Sequence, residues 1–252
     1  MPQECREVRV MALTRTFLID DQWNMVHLPE RPNGFAVFIL GDTNHYVDEH
    51  TSFWVQSPFR AHLIDILLEK GYTVFYSNLY GRHWGSPDAV QLAKSVYHMV
   101  IRKEIVNPKM HLLVEGMGAL VALELLKNES ITRSAVMMNP CLNLRTHIMI
   151  EMENKLFYKR LIKEIARSYH IREKDVPVAI ERMKTKTPVL KTPILILHES
   201  HGGNYPLEHH SRRFETQQNA LNGNVRLCLH IHHHDYPFAE MITAFYQKHE
   251  RI

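Results

Sequence analysis

Short continuous apolar runs alternate along the chain with stretches whose apolar residues recur at helical spacing. Phe35 to Leu40 is the first such run, and it ends at Gly41. Phe59 to Lys70 then places Ala61, Leu63, Ile64, Ile66, Leu67 and Leu68 at helical spacing, with Gly71 as a C-terminal cap. Tyr72 to Leu79 is β-like, rich in branched and aromatic residues. Pro87 and Asp88 open a helical stretch that reaches about Val106. Met110 to Val114 leads through Glu115, Gly116, Met117 and Gly118 straight into the helical pattern of Ala119 to Leu126. Further runs cover Ser134 to Met138, Pro193 to Leu197 and Asn224 to Ile231, and Tyr236 to Lys248 is a terminal helix.

Apolar runs that are continuous rather than alternating mark strands buried on both faces, as in a parallel sheet. Their alternation with helices predicts an α/β fold with a mostly parallel, doubly wound sheet. Residues 145–191 break the rhythm with helical patterns only, punctuated by Pro177 and Pro188. An insertion after a strand's C-terminal end lies over the crevice where such sheets bind ligands. It is therefore expected to be a helical lid within a single domain spanning 1–252. No repeat, linker or low-complexity tract argues for a second domain.

Composition narrows the function classes. Hydrophobic residues make up 45% and charged residues 23%, as in ordinary globular proteins. A net charge of +3 with no basic block longer than two residues gives no case for nucleic acid. No stretch is apolar enough for a membrane helix, and the charged N-terminus lacks a signal-peptide core, so no membrane partner and a cytoplasmic location are expected. Cys5, Cys141 and Cys228 are odd in number and far apart, which suits small core side chains in a reducing compartment.

Four local signatures, in this order, resemble the α/β-hydrolase superfamily over residues 31–252. Leu40-Gly41-Asp42 resembles the turn after the family's third strand, which carries an oxyanion-hole amide. Asn78 to Ser86 resembles the D-x-x-G-x-G-x-S stretch after the fourth strand. His111 to Gly118 falls where the nucleophile elbow belongs, and Leu190 to Leu197 resembles the Pro-led strand before the family's acidic residue.

The resemblance also implies which catalytic groups are missing. Laid on G-x-S-x-G, Val114 takes the first glycine, Gly116 the serine and Gly118 the last glycine. A serine at 116 should fit such a turn, and the amides of Met117 and Asp42 would form an oxyanion hole without a nucleophile. The acid slot falls on or near His201. The family histidine falls among His232, His233 and His234, with His234 favoured on loop length and His233 next. The expected pocket therefore comprises Gly41, Asp42, His83, Gly116, Met117, His201 and His234. The binding loop after the fourth strand also carries Arg82 and Trp84, while Ser86 before Pro87 reads as a helix N-cap.

Other clusters have simpler readings. His230, His232 and His234 would share a strand face, and His-x-His can bind zinc, but Cys228 shares that face and the histidines read as solvated or core-satisfied. No metal or other cofactor is expected. Glu115 is expected to point away from the crevice in a structural role. Lys155, Lys159, Arg160, Lys163 and Glu164 read as a solvated helix face. The expectation is a protein that holds a small acyl or ester-like ligand without ordinary serine-hydrolase turnover. The alternatives are a carboxylic-ester hydrolase with an unusual nucleophile or histidine-activated water, and a protein-interaction scaffold. A protein partner or homo-oligomer stays open.

Overall fold

The computed structural model describes residues 13–183, 188–200, 203–230 and 237–250. Among them, strands β1 (Leu13–Ile19), β2 (Gln22–Leu28), β3 (Ala36–Leu40), β4 (Thr73–Ser77), β5 (Met110–Glu115), β6 (Thr132–Met138), β7 (Ile194–Glu199) and β8 (Val225–His230) form one sheet in the order β1-β2-β4-β3-β5-β6-β7-β8. Pairing from β4 through β8 is parallel throughout. The hairpin β1–β2 adds two antiparallel strands at one edge. The apolar pattern of the sequence does not predict this hairpin. β1 is a largely exposed edge strand in which a polar run, Thr14-Arg15-Thr16, precedes Phe17-Leu18-Ile19 with no alternation, and its turn uses Asp20 and Asp21 at positive φ rather than the usual Asn-Gly.

Helices cover both faces. On one side lie α3 (Pro87–Lys103), α4 (Gly118–Leu125) and α8 (Ser211–Ala220), which bury residues such as Val96, Val121 and Phe214 with Phe38, Leu112 and Ile196 of the sheet. On the other lie α1 (Phe53–Gln56), α2 (Pro58–Glu69) and α9 (Phe238–Lys248), burying Trp54, Leu67 and Tyr246 with Val37, Leu113 and Leu195. Strands β3 to β7 bury nearly every residue, as their continuous apolar runs require. Ser86 caps α3 by accepting a hydrogen bond from the Ala89 amide, ahead of Pro87 at the first turn.

Between β6 and β7 come α5 (Leu144–Glu151), α6 (Lys155–Ser168), a short 3-10 turn (Glu173–Asp175) and α7 (Val176–Arg182). Asn143 and Asn154 cap α5 and α6. The inner faces of these helices make a third core: Leu144, Ile148, Leu161, Ile162, Ile165, Val176 and Ile180 pack with Trp84, Met117, Cys141 and Tyr205. The helical segment thus sits directly on the C-terminal ends of the central strands. No described helix is long and apolar enough to cross a membrane.

Candidate functional site

The chain leaves β3 toward β4 on one side and continues to β5 on the other, so the ends of β3 and β5 lie side by side at a switch point of the sheet. Leu40 pairs with Val114, which brings Asp42 beside Gly116. The Gly116 turn has φ +49 and is closed by its carbonyl, which accepts from the amides of Ala119 and Cys141 at 3.2 and 2.8 Å. α4 starts immediately after it, packed so closely on β3 that a Cβ at Gly118 would lie 2.8 Å from the Gly41 carbonyl oxygen and closer still to that of Leu40. The strand-to-helix elbow therefore exists, and backbone proximity dictates its second glycine.

The interior of the elbow differs from the expected open oxyanion hole. The Met117 amide donates to Asp42 Oδ1 at 2.8 Å, and the Tyr205 hydroxyl donates to the same oxygen at 2.8 Å. An added Cβ at Gly116 would lie 2.5 Å from Asp42 Oδ2 and nearer to Cγ and Oδ1. The Asp42 carboxylate thus fills the space where a side chain at 116 would begin. The expectation that serine fits at 116 is overturned by this carboxylate, because non-bonded heavy atoms cannot approach so closely. The Met117 amide is also already engaged.

Tyr205 comes from the loop after β7, the segment where the resemblance places the family's acid. Burial, then the charge of Asp42, pushes its phenol well above the usual range, so it remains a hydrogen-bond donor. Cys141, fully buried beneath, has its thiol raised by burial and by Asp42, which removes it as a thiolate nucleophile. Neither Tyr205 nor Cys141 carried a recognisable sequence signal, since each acts through contacts made only in the fold. His201, and the histidines His232, His233 and His234, lie outside the described residues. Among the described residues no group of three or more His, Cys, Asp or Glu is placed to hold a metal. His230 ends β8, buried, with its ring edge-on to Phe238.

Glu115 turns away from Asp42 and receives Arg60 through both its Nε, at 3.0 Å, and its Nη2. His45 Nε2 approaches the same carboxylate at 3.5 Å, while its Nδ1 accepts from Trp54. The loop after β4 is strained, with Leu79, Tyr80 and Trp84 all at positive φ. It is clamped to α6 through Glu164, which receives Arg82, Arg160 and the Trp84 indole N–H at 3.0 Å. His83 is buried rather than facing a pocket. Its Nδ1 accepts from the Gly85 amide, and burial lowers its pKa to about 3.

An open cleft of about 210 Å³ remains between this loop and the helices above it. Phe157, Leu161, Trp84, His147, Tyr205 and Arg160 are among the residues that line it. His147 stacks on Trp84, burial lowers its pKa to about 4, and its Nδ1 has no hydrogen-bond partner. A larger cavity of about 610 Å³ lies by Arg133 and His249, whose neighbours Met110 and Thr132 begin β5 and β6, at the opposite end of the strands from Asp42.

No protein-family model matches the chain, and no curated protein matches it in sequence. Its likeness to solved structures shows that the chain has an α/β-hydrolase fold. A puromycin-hydrolyzing peptidase of Mycobacterium tuberculosis superposes with a TM-score of 0.72 at 15% identity, covering 98% of this chain and 41% of that one. A Pyrococcus horikoshii acylaminoacyl peptidase gives 0.63 at 12% identity, over 94% and 42%. Est1E from Butyrivibrio proteoclasticus gives 0.62 at 14%, over 94% and 98%. The chain thus spans about two fifths of either peptidase's length and nearly all of Est1E.

Proposed function

We propose that this α/β-hydrolase-fold chain holds a small acyl or ester-like molecule without serine-hydrolase turnover. The helices between β6 and β7 serve as its lid within one domain. The observation that carries the reading is the Asp42 carboxylate, seated where a side chain at 116 would begin and bonded to the Met117 amide. An oxyanion developing there would have to displace a like charge from the Met117 amide, which opposes acyl transfer. The ligand half of the proposal is supported by the cleft. Its apolar wall of Phe157 and Leu161 suits an acyl chain, and Arg160 on the same lining suits a polar or anionic end. At about 210 Å³ it is below the usual 300–1,000 Å³ of drug-sized pockets, so the ligand is small.

A fluorophosphonate probe and a thermal-shift series with short-chain carboxylates and esters test the two halves together. No serine should be labelled. A carboxylate at about 100 times its Kd should stabilise the fold by roughly 2.7 kcal/mol. Stoichiometric labelling of any serine would overturn the reading.

A second reading, hydrolysis of a carboxylic ester by activated water, is favoured by the same carboxylate. Asp42 Oδ2 is not taken by Met117 or Tyr205, and it would be the acceptor of the water's proton in such a reaction. It requires p-nitrophenyl acetate turnover that Asp42→Asn abolishes. The third, a scaffold for protein partners, is left if neither ligand nor turnover is found.

A further inference from the structure

The tip of the hairpin formed by α5 and α6 is unusually apolar for an exposed surface. Met149 is 60% exposed, Met152 58%, Leu156 81% and Phe157 57%. Single exposed apolar side chains are ordinary, but four within positions 149–157 form a patch that calls for a partner. They lie off the faces that these helices bury, which are Leu144, His147 and Ile148 in α5 and Leu161, Ile162, Ile165 and Ala166 in α6.

The charges beside this tip are one-sided. Lys155, Lys159 and Lys163 follow one another at four-residue spacing on the exposed side of α6, and Arg167 extends the stripe. None of the four is paired with a carboxylate among the described residues, whereas Arg160 is held by Glu164. Residues 144–168 contain six Lys and Arg (145, 155, 159, 160, 163, 167) against three Glu (151, 153, 164), a net of +3. The whole chain has 30 against 27, also +3, so the remainder is neutral and the hairpin carries the net charge of the protein.

We infer that the α5–α6 hairpin docks this protein peripherally onto an anionic lipid bilayer. The lysines and Arg167 meet headgroup phosphates and carboxylates, and Met149, Met152, Leu156 and Phe157 enter the boundary between headgroups and acyl chains. Cations alone would equally fit a nucleic acid. The apolar tip is what favours lipid, since an exposed Leu and two Met have nothing to gain against a phosphate backbone. Glu153 is the one acidic side chain exposed at the tip, and it is outnumbered by Lys155, Lys159 and Lys163. The inference concerns contact with a membrane surface and not a membrane-spanning helix, of which the described residues hold none. It does not depend on whether the Asp42 site is catalytic. Because Phe157 also lines the cleft, docking would bring the cleft mouth to the lipid surface.

Flotation of the full chain with vesicles tests it, using pure phosphatidylcholine in one arm and a phosphatidylserine-rich mixture in the other. Binding should occur only in the second arm and fall with added salt. Lys159→Ala with Lys163→Ala should weaken it about thirtyfold, at roughly fivefold per cation near an anionic surface. Met149→Ser with Leu156→Ser should weaken it about tenfold or more with all charges kept. Lys94→Ala with Lys103→Ala, which removes equal charge from α3, should stay within about twofold. All six positions are exposed, so unchanged melting curves confirm that the variants are folded. Absence of binding, equal loss in the α3 control, or binding indifferent to Met149→Ser with Leu156→Ser and matched by single-stranded RNA would overturn the inference.

Discussion

Replacing Gly116 by alanine should be far more damaging than a methyl group on a surface turn ordinarily is. Its Cβ would lie within 2.5 Å of the Asp42 carboxylate, so that carboxylate must leave. Asp42 is half-buried and can rehydrate, and little cost attaches to it. The cost falls on the donors left behind, because Met117 and Tyr205 are buried and their N–H and O–H have only Asp42 as acceptor. A stranded buried donor costs about 1–3 kcal/mol, and a non-glycine residue at φ +49 adds about 1 kcal/mol. The expected loss is about 3–7 kcal/mol. At about 2–4 °C per kcal/mol for a chain of this size, Tm should fall by about 10 °C.

The decisive measurement is a double-mutant cycle with Asp42→Ala, read by denaturant unfolding. Asp42→Ala strands the same two donors and should cost about 2–6 kcal/mol alone. In that background the clash is gone, and Gly116→Ala should add only its backbone cost of about 1 kcal/mol. The pair should therefore couple by about 2 kcal/mol or more. Additivity to within about 0.5 kcal/mol, or a Gly116→Ala variant as stable as the parent, would refute the picture of a carboxylate occupying the elbow.

Tyr205→Phe removes one of the two donors to Asp42 without opening space. It should cost about 1–2 kcal/mol in chemical unfolding, and an unchanged midpoint would mean the hydroxyl bond is not formed. Glu164→Ala frees Arg82, Arg160 and Trp84 together. Because both guanidiniums are partly exposed, the loss should be only about 1–2 kcal/mol. Proteolysis within residues 144–182 should quicken, with Glu164→Gln recovering part of it. Burial lowers the pKa of His83 to about 3, of His147 to about 4 and of His210 to about 3, the last helped by the charges of His147, His198 and His209. The unfolded chain takes up these protons first, near its ordinary 6.5. Stability is therefore complete above pH 6.5 and falls by roughly 1.4 kcal/mol per pH unit for each histidine until the folded values are reached. A Tm that stays flat between pH 6.5 and 5 would contradict their burial as neutral rings.

Much of the sheet was legible because β3 to β7 are buried on both faces, which forces continuous apolar runs with Gly or Pro near their ends. The start of α3 was legible through Ser86 and Pro87, whose local bonds need nothing beyond their neighbours. What escaped had weaker local signals. The hairpin β1–β2 is exposed on its outer strand, and α8 buries only Ser211, Phe214 and Gln218 of its ten residues. α1 spans a single turn.

The site divides along the same line. Gly116 and Met117 could be placed from the sequence, because an elbow is a local passage from strand to helix. The bonds that fill it span 75 residues from Met117 to Asp42 and 163 from Tyr205 to Asp42, distances at which no periodicity reports. Read singly, Gly116 is a missing nucleophile and Asp42 a turn residue. Read together they are one arrangement, since a Cβ at 116 and a carboxylate from 42 compete for the same volume and only one can be present. Glycine at 116 is therefore the condition for Asp42 to reach the Met117 amide. Placing a serine there without shortening Asp42 would set the two in conflict.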